Sequence, residues 1–324
     1  MPNVSGLNTR LTVLANQWKP SARGYIASQA LPIWRVSERK FNYLTFDKTE
    51  IFSVVTDPRR ADAGYAKEVT WSVTETSSET VPYALRDFLT DRQIASKQYQ
   101  IAWENNTVTF LCEQLALAYE KRIADYLFSG TTFSSHTAAL SGTDRWDDST
   151  SDPRKTFLTY AGTTFMHMRP NTLIIGEAVR DALMYHPALA GLKKYTNGIV
   201  GVTETDLAAY FGVDQVLVGK ALYNASDHGA SASYGNLWGK YALLAYLAPG
   251  GGGPLPPRQP SLGYNFMLDS QLGSGVPGAE GIMRVRSYRD EGKGGAGSWY
   301  EVDHESKALV IDTTCGYLLS TVVS

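Results

Sequence analysis

RPNTLIIGEAVRDALMYHPALAGLKKYT, residues 169–196, decides how this chain is read. An apolar run, Thr172–Ile175, ends at Gly176, and an amphipathic stretch follows. In open α/β sheets, ligands bind outside the carboxyl ends of strands. The segment is therefore either the front of a substrate site or part of a scaffold. A dinucleotide-binding turn wants three spaced glycines, and GEAVRDAL has one. An anion site wants an unneutralised helix N-terminus, and Glu177 already supplies negative charge to that end of the dipole.

Working outward, the segment opens a small α/β unit of about 80 residues. The spacing predicts a helix over 177–186 with Val179, Leu183 and Met184 facing inward. VTETDLAAYFGV predicts a capped helix, with Thr203 or Thr205 near its start and Gly212 at its end. QVLVGKALY (215–223) and NLWGKYALLAYLAP (236–249) read as strands, and GGGGPLPPRQP (250–260) as a closing loop. Beyond it, LGYNFML, IMRVRSYRD, SWYEVDH, KALVIDT and CGYLLSTVV read as five strands.

Upstream, Val108, Leu111, Cys112, Leu115, Tyr119, Ile123 and Leu127 recur at three- and four-residue steps. They predict one long helix over 91–130, capped by Asp91 and stopped by Gly130. A continuous helix of that length spans roughly 55 Å. Its heptad is poor, which argues against a coiled coil. Residues 131–155 are turn-rich, and Asp152–Pro153 starts a helix expected to run to Arg169–Pro170. KEVTWSVTETSSETVPYAL predicts a β-hairpin, with Val69, Trp71 and Val73 on one face and the polar TETSSET as its turn. So polar a hairpin ahead of the core suits a projecting flap that finds its contacts on another molecule. Residues 1 to about 30 are aperiodic and read as an arm or extended lead-in.

With 324 residues, 43% hydrophobic and 19% charged, the chain can bury a sizeable core and is not a disordered segment. Thirty basic residues against 32 acidic leave a net charge of −2, which argues against gripping nucleic acid through a basic face. Lying beside nucleic acid without gripping it stays open. Cys112 and Cys315 have no metal-ligand spacing and read as buried thiols. MPNVSGLNTRL is not a signal peptide, and no run approaches the ~18 apolar residues of a membrane span, so the chain reads as soluble and intracellular.

The five histidines, His136, His167, His186, His228 and His304, lie in separate segments without HxxxH or HExxH. GGGG at 250–253 lacks the Lys–Ser/Thr of a phosphate loop, and no GxSxG is present. Asp147 and Asp148 sit in a polar loop with no apolar surroundings to raise a pKa. No catalytic, cofactor-binding or metal-ligating residue is assigned, and the chain is not read as an enzyme.

The block from 169 to 268 resembles the major capsid proteins of tailed bacteriophages. The likeness is carried by RPNTLIIGEAVRDALMYHPALAGLKKYT, GVTETDLAAYFGVDQVLVGKALYN, LWGKYALLAYLAP and SLGYNF, in that order. It extends more weakly through the 91–130 helix, RVRSYRDE and GYLL, covering about two-thirds of the chain. The resemblance implies an α+β capsid fold of four parts. These are an N-terminal arm (1–34), an extended β-hairpin loop (35–90), a peripheral domain (91–170 and 282–314) with spine helix 91–130, and an axial α/β domain (171–281 and 315–324). It implies self-assembly through hexamers and pentamers into an icosahedral head around a DNA genome.

The partners implied are other copies of the chain, a scaffolding protein and portal, possible decoration protein, and packaged double-stranded DNA bound without sequence preference; no membrane and no cofactor are implied. Some family members carry a long charged helical segment as built-in scaffold. This sequence begins without one, so a separate scaffolding protein is expected. The place implied is the virion, assembled in the host bacterial cytoplasm. Arg59, Arg60 and Trp71 near the hairpin, and Lys193 and Lys194 in the axial domain, are the candidate inter-subunit contacts. Two alternatives remain: an encapsulin-like compartment shell of the same fold, and a small-molecule α/β enzyme.

Overall fold

The structure is a computed structural model that describes residues 8–18, 24–46, 52–60, 62, 64–69, 72–95, 102–162, 166–194, 202–226, 229–248, 260–269, 283–292 and 296–324. The TLIIG run is the strand Thr172–Gly176, buried at every position. It lies inside a five-stranded sheet whose order is Thr137–Ala139, Gly316–Ser320, Ala242–Ala245, Thr172–Gly176, Gln215–Gly219. A sheet covered on both faces explains why these strands read as unbroken apolar runs rather than alternating ones. Leu173, Ile175, Leu244 and Leu319 join one core with Val179 and Leu183 of the helix Glu177–Tyr185 and with Leu207 and Phe211 of the helix Glu204–Phe211. Their neighbours Ile174, Leu243 and Leu318 point into a second core with Leu31, Ile123 and Leu127. Met184, expected to face inward, is only half-buried.

The second helix has the predicted ends. Thr203 and Asp206 form a capping box, and Gly212 closes the helix in the left-handed region at φ 72°. Two expected strands are shorter than read. The 215–223 run breaks after Gly219, where Lys220 N–H turns to the Gly24 carbonyl, and resumes as Leu222–Asn224 paired with Tyr234–Asn236. Of 236–249, only Ala242–Ala245 pairs in the sheet, because Trp238 turns into the core and donates its indole N–H to Glu120.

Asp152 caps the helix Pro153–Tyr160 by accepting from Lys155 N–H. That helix ends at Tyr160 rather than near Arg169–Pro170: Ala161 caps it and Gly162, a poor helix former, follows.

The other sheet is built on one 14-residue strand, Gly297–Val310. SWYEVDH and KALVIDT, read as two strands, are its two halves. The polar His304–Lys307 between them looks like a turn, but His304 and Ser306 are buried and Ser306 pairs with Val81 and with Met267. This central strand pairs with Val81–Thr90, Arg284–Asp290 and Gly263–Leu268, and the last pairs in parallel with Ile33–Val36.

The long helix crosses that sheet. The rod expected over 91–130 is two helices, Asp91–Ala95 and Trp103–Leu127. Ala102, at φ −78° and ψ 79°, is not helical. The spine is thus 25 residues, about 37 Å. The stripe of Val108, Leu111, Cys112 and Leu115 meets Leu89, Val285 and Val302 of the sheet.

The lead-in is not extended throughout. Asn8 caps a helix, Thr9–Gln17, whose Leu11 and Ala15 complete the same core. The strand Thr137–Ala139 pairs with Gly316–Ser320, and Leu140, Trp146, Phe157 and Met166 pack in the core of that same sheet. Gly263–Leu268 pairs instead in the sheet of Gly297–Val310. These assignments follow strand pairing between distant segments, which local pattern does not encode.

Candidate assembly surfaces

The projecting element is a two-stranded ribbon, Lys40–Phe46 against Val73–Glu79. Thr74–Glu79 of TETSSET, read as the turn, belong to the second of these strands. The strand Val73–Glu79 has no face buried in a core, so nothing requires hydrophobic alternation along it, and its residues are mostly exposed. The turn lies instead between the strands, in 47–72. At its foot, Phe41 stacks on Phe266 with ring centroids 4.5 Å apart, beside Trp34 and Tyr43.

The ribbon carries apolar surface where the chain can least shelter it. Among the described residues, seven of the fifteen large hydrophobic side chains left exposed lie between Leu44 and Val73. Val54 and Tyr65 are the extremes, at 88% and 101% exposure. Exposed apolar side chains gathered on one stretch of chain suit a contact with another molecule. The loop touches its own body at one described ring contact, Phe52 with His167, 6.1 Å between centroids.

Arg59 and Arg60 both sit on this loop. Arg59 pairs with Asp57 at 3.1 Å and is 91% exposed, while Arg60 Nε donates to the Gly64 carbonyl at 2.6 Å. Their local bonds shape the loop and leave Arg59 presented outward. Trp71 lies outside the described residues. Lys193 and Lys194 end the helix Pro187–Lys194, and their side chains lie outside the described residues as well. Further exposed apolar groups are Leu222 and Tyr234 on the short hairpin and Tyr185 at a helix end.

The strand-to-helix turn of the opening segment is closed by packing. A Cβ on Gly176 would lie 2.0 Å from the Gly239 carbonyl oxygen, so glycine is there for backbone approach. Glu177 is engaged by Arg180 at 3.3 Å. His186 is a structural node at this end of the domain. It accepts from Ala188 N–H through Nδ1, which puts its proton on Nε2, 3.0 Å from the Asp148 carbonyl.

Asp148 itself is held below the usual carboxylate range by hydrogen bonds from Thr150, and Asp147 by hydrogen bonds from Ser324. A general acid needs the opposite shift. A cleft of about 420 Å³ nearby is lined by Asp144, Asp152, Lys155 and Thr159. A second, of about 230 Å³, lies between the first helix, the spine and the sheet, with His304 on its wall. Among the described residues no group of three or more His, Cys, Asp or Glu is placed to hold a metal, and no helix is long and apolar enough to cross a membrane.

Two interior groups that the sequence did not reveal join these parts. Glu120, on the spine, is 1% exposed and accepts from Ile26 N–H at 2.7 Å, Ala27 N–H at 3.0 Å and Trp238 Nε1 at 2.8 Å. Burial raises its pKa above the usual carboxylate range, and those three donors offset only part of the rise. His304, in the central strand, accepts from Arg122 at 3.1 Å; burial, then the charges of Arg122 and Arg284, push its pKa down to about 4.

The fold, a spine helix over one five-stranded sheet, a second five-stranded sheet and a two-stranded ribbon, is similar to that of known proteins. It superposes on a phage-related protein from Bordetella bronchiseptica with a TM-score of 0.72, at 23% identity and 99% coverage of both chains. The capsid of cyanophage P-SCSP1u (9% identity, 94% and 90% coverage) and the SrpI encapsulin of Synechococcus elongatus (8% identity, 95% and 91% coverage) each match at a TM-score of 0.53. The fold is therefore that of tailed-phage capsid and encapsulin shell proteins.

Sequence narrows the class. The chain is 29% identical over 205 residues to the major capsid protein of Burkholderia phage BcepMu, covering 58% of this chain and 62% of that relative. It is 27% identical over 233 residues to the major capsid protein of Pseudomonas phage JBD67, covering 68% and 71%. The match thus spans less than two-thirds of the Burkholderia relative's length. No family model matches the chain. The protein is a sequence relative of phage major capsid proteins with a phage capsid fold.

Proposed function

We propose that this chain is a major capsid protein that assembles through hexamers and pentamers into the icosahedral head enclosing a tailed-phage genome. The observation that carries it is the ribbon: an exposed, partly apolar projection on a capsid fold, which needs a second copy to cover it. The wedge-shaped axial domain supplies ring contacts, which are heterologous and close only when the rotation between neighbours returns to the start. Arg59, Arg60 and Trp71 from the ribbon and Lys193 and Lys194 from the axial domain are the contacts assigned to these interfaces. Arg59's outward position supports its place among them.

The role is structural rather than enzymatic, in keeping with its capsid-protein relatives. The virion capsid is its place of action, after assembly in the host cytoplasm with a scaffolding protein and portal. Near-balanced charge supports edge-to-edge packing without strong mutual repulsion, and enclosure of DNA without sequence-specific grip.

Expression of the chain, followed by electron microscopy and light scattering, tests the reading. Closed or partial shells built of hexameric and pentameric rings are expected, alone or with a co-expressed scaffolding protein. A monomer or small oligomer under every such condition overturns it.

A further inference from the structure

Both legs of the ribbon leave the body at one corner. One passes through residues 37–39, between Ile33–Val36 and Lys40–Phe46; the other passes through Thr80, the single residue between Val73–Glu79 and Val81–Thr90. Glu305, in the central strand opposite Pro82, touches both legs. Arg39 Nε donates to its Oε2 at 3.2 Å, and Thr80 Oγ1 lies 3.4 Å from the same oxygen. Thr80 N–H donates to the Arg39 carbonyl at 2.9 Å, tying the legs to each other.

Arg39 also stands 4.0 Å from Glu79 at the end of the ribbon strand. From the sheet side, Arg284 donates to Glu305 Oε1 at 3.1 Å while holding Asp303. The Glu305 side chain is 11% exposed and Thr80 is 1% exposed, so this corner is sheltered although Arg39 is half in solvent. The rest of the ribbon foot rests on the ring stack of Phe41 and Phe266. Stacked rings tolerate sliding, whereas a charge-assisted hydrogen bond is short and directional.

We propose that Glu305 is an angle-setting latch: by holding Arg39 and Thr80 at the corner, it fixes the direction in which the ribbon projects. Glu305 is a positioning residue here, itself aimed by Arg284. The ribbon strands pair with each other and not with the sheet, so releasing the latch frees their common direction without unpairing them.

Pulsed electron–electron resonance on the full-length subunit, kept dilute and monomeric, reads this directly. Nitroxides at Ser77→Cys on the ribbon and Ala118→Cys on the exposed side of the spine report the angle, and the native Cys112 and Cys315 are buried away from label. The parent gives one narrow distance. Glu305→Gln and Arg39→Gln each at least double its width, with unchanged circular dichroism. Arg39→Lys, which keeps the charge, recovers part of the narrowing. Gln variants that fold and retain the parent width overturn the proposal. If Glu305→Gln fails to fold, Arg39→Gln, at a half-exposed position, decides alone.

Discussion

Glu120 holds three buried donors from two distant parts of the chain, its partners lying 94, 93 and 118 residues away. Replacing it by alanine strands those donors, each costing about 1–3 kcal/mol, offset by no longer burying a carboxylate. The expected net loss for Glu120→Ala is about 3 kcal/mol, seen as a fall of several degrees in Tm. Glu120→Gln keeps one acceptor and falls between. An unchanged Tm for the alanine variant means the carboxylate ties nothing together. His304 makes a pH prediction. Its native pKa, about 4, lies below the ordinary 6.5, so between those values the unfolded chain binds a proton that the folded one refuses. Its contribution is intact above about pH 6.5 and is lost as pH falls toward 4, up to roughly 3 kcal/mol. Denaturant titrations across that window should show a flatter profile for His304→Gln, which still accepts from Arg122. Neither residue was legible in the sequence. A lone Glu in a helical stripe and a lone His in a polar run look like surface positions until segments a hundred residues away close over them.

Elements were legible where local chemistry decides them. The sequence offered Thr203 or Thr205 as the start of one helix and Gly212 as its end; the structure chooses Thr203, in a capping box with Asp206, and holds Gly212 at φ 72°. Thr203→Ala should cost about 1 kcal/mol, measurable as a small Tm shift without change of fold. Elements were misread where tertiary pairing overrides composition. TETSSET looks like a turn because a strand is expected to own a buried face, and this one owns none. The helix was read through 91–130 although its stripe begins at Val108, and the backbone at Ala102 is not helical. The ribbon yields its own prediction. Replacing residues 52–69 by a short Gly–Ser turn removes Val54, Arg59 and Tyr65 but none of the four buried cores. The subunit should keep its circular dichroism and Tm, while shells vanish in electron micrographs. Normal shells from that variant would show that the ribbon is not an assembly contact.

At the scale of the molecule, the class of fold was legible through the ordered run of segments from 169 to 268 that resembles tailed-phage major capsid proteins. Its exchanges with the peripheral sheet were not: the strands at 137–139 and 263–268 each cross to the other sheet from the one their neighbours suggest. The two halves therefore share a joint, the core of Ile123, Leu127, Leu31, Ile174 and Leu243, rather than a linker. The buried thiols turn this arrangement into a pair of internal clocks. Among the described residues, Cys112 is one of a cluster of ten buried hydrophobics between spine and sheet, its thiol pushed by burial up to about 12, and Cys315 is one of twenty at the joint. Native subunits should resist iodoacetamide at both. In rising urea, mass spectrometry of pulse-alkylated protein should find Cys112 modified first, since fewer neighbours must part to uncover it. Simultaneous modification would mean the subunit opens as one body, so that strain applied at its rim is felt at once in its hub.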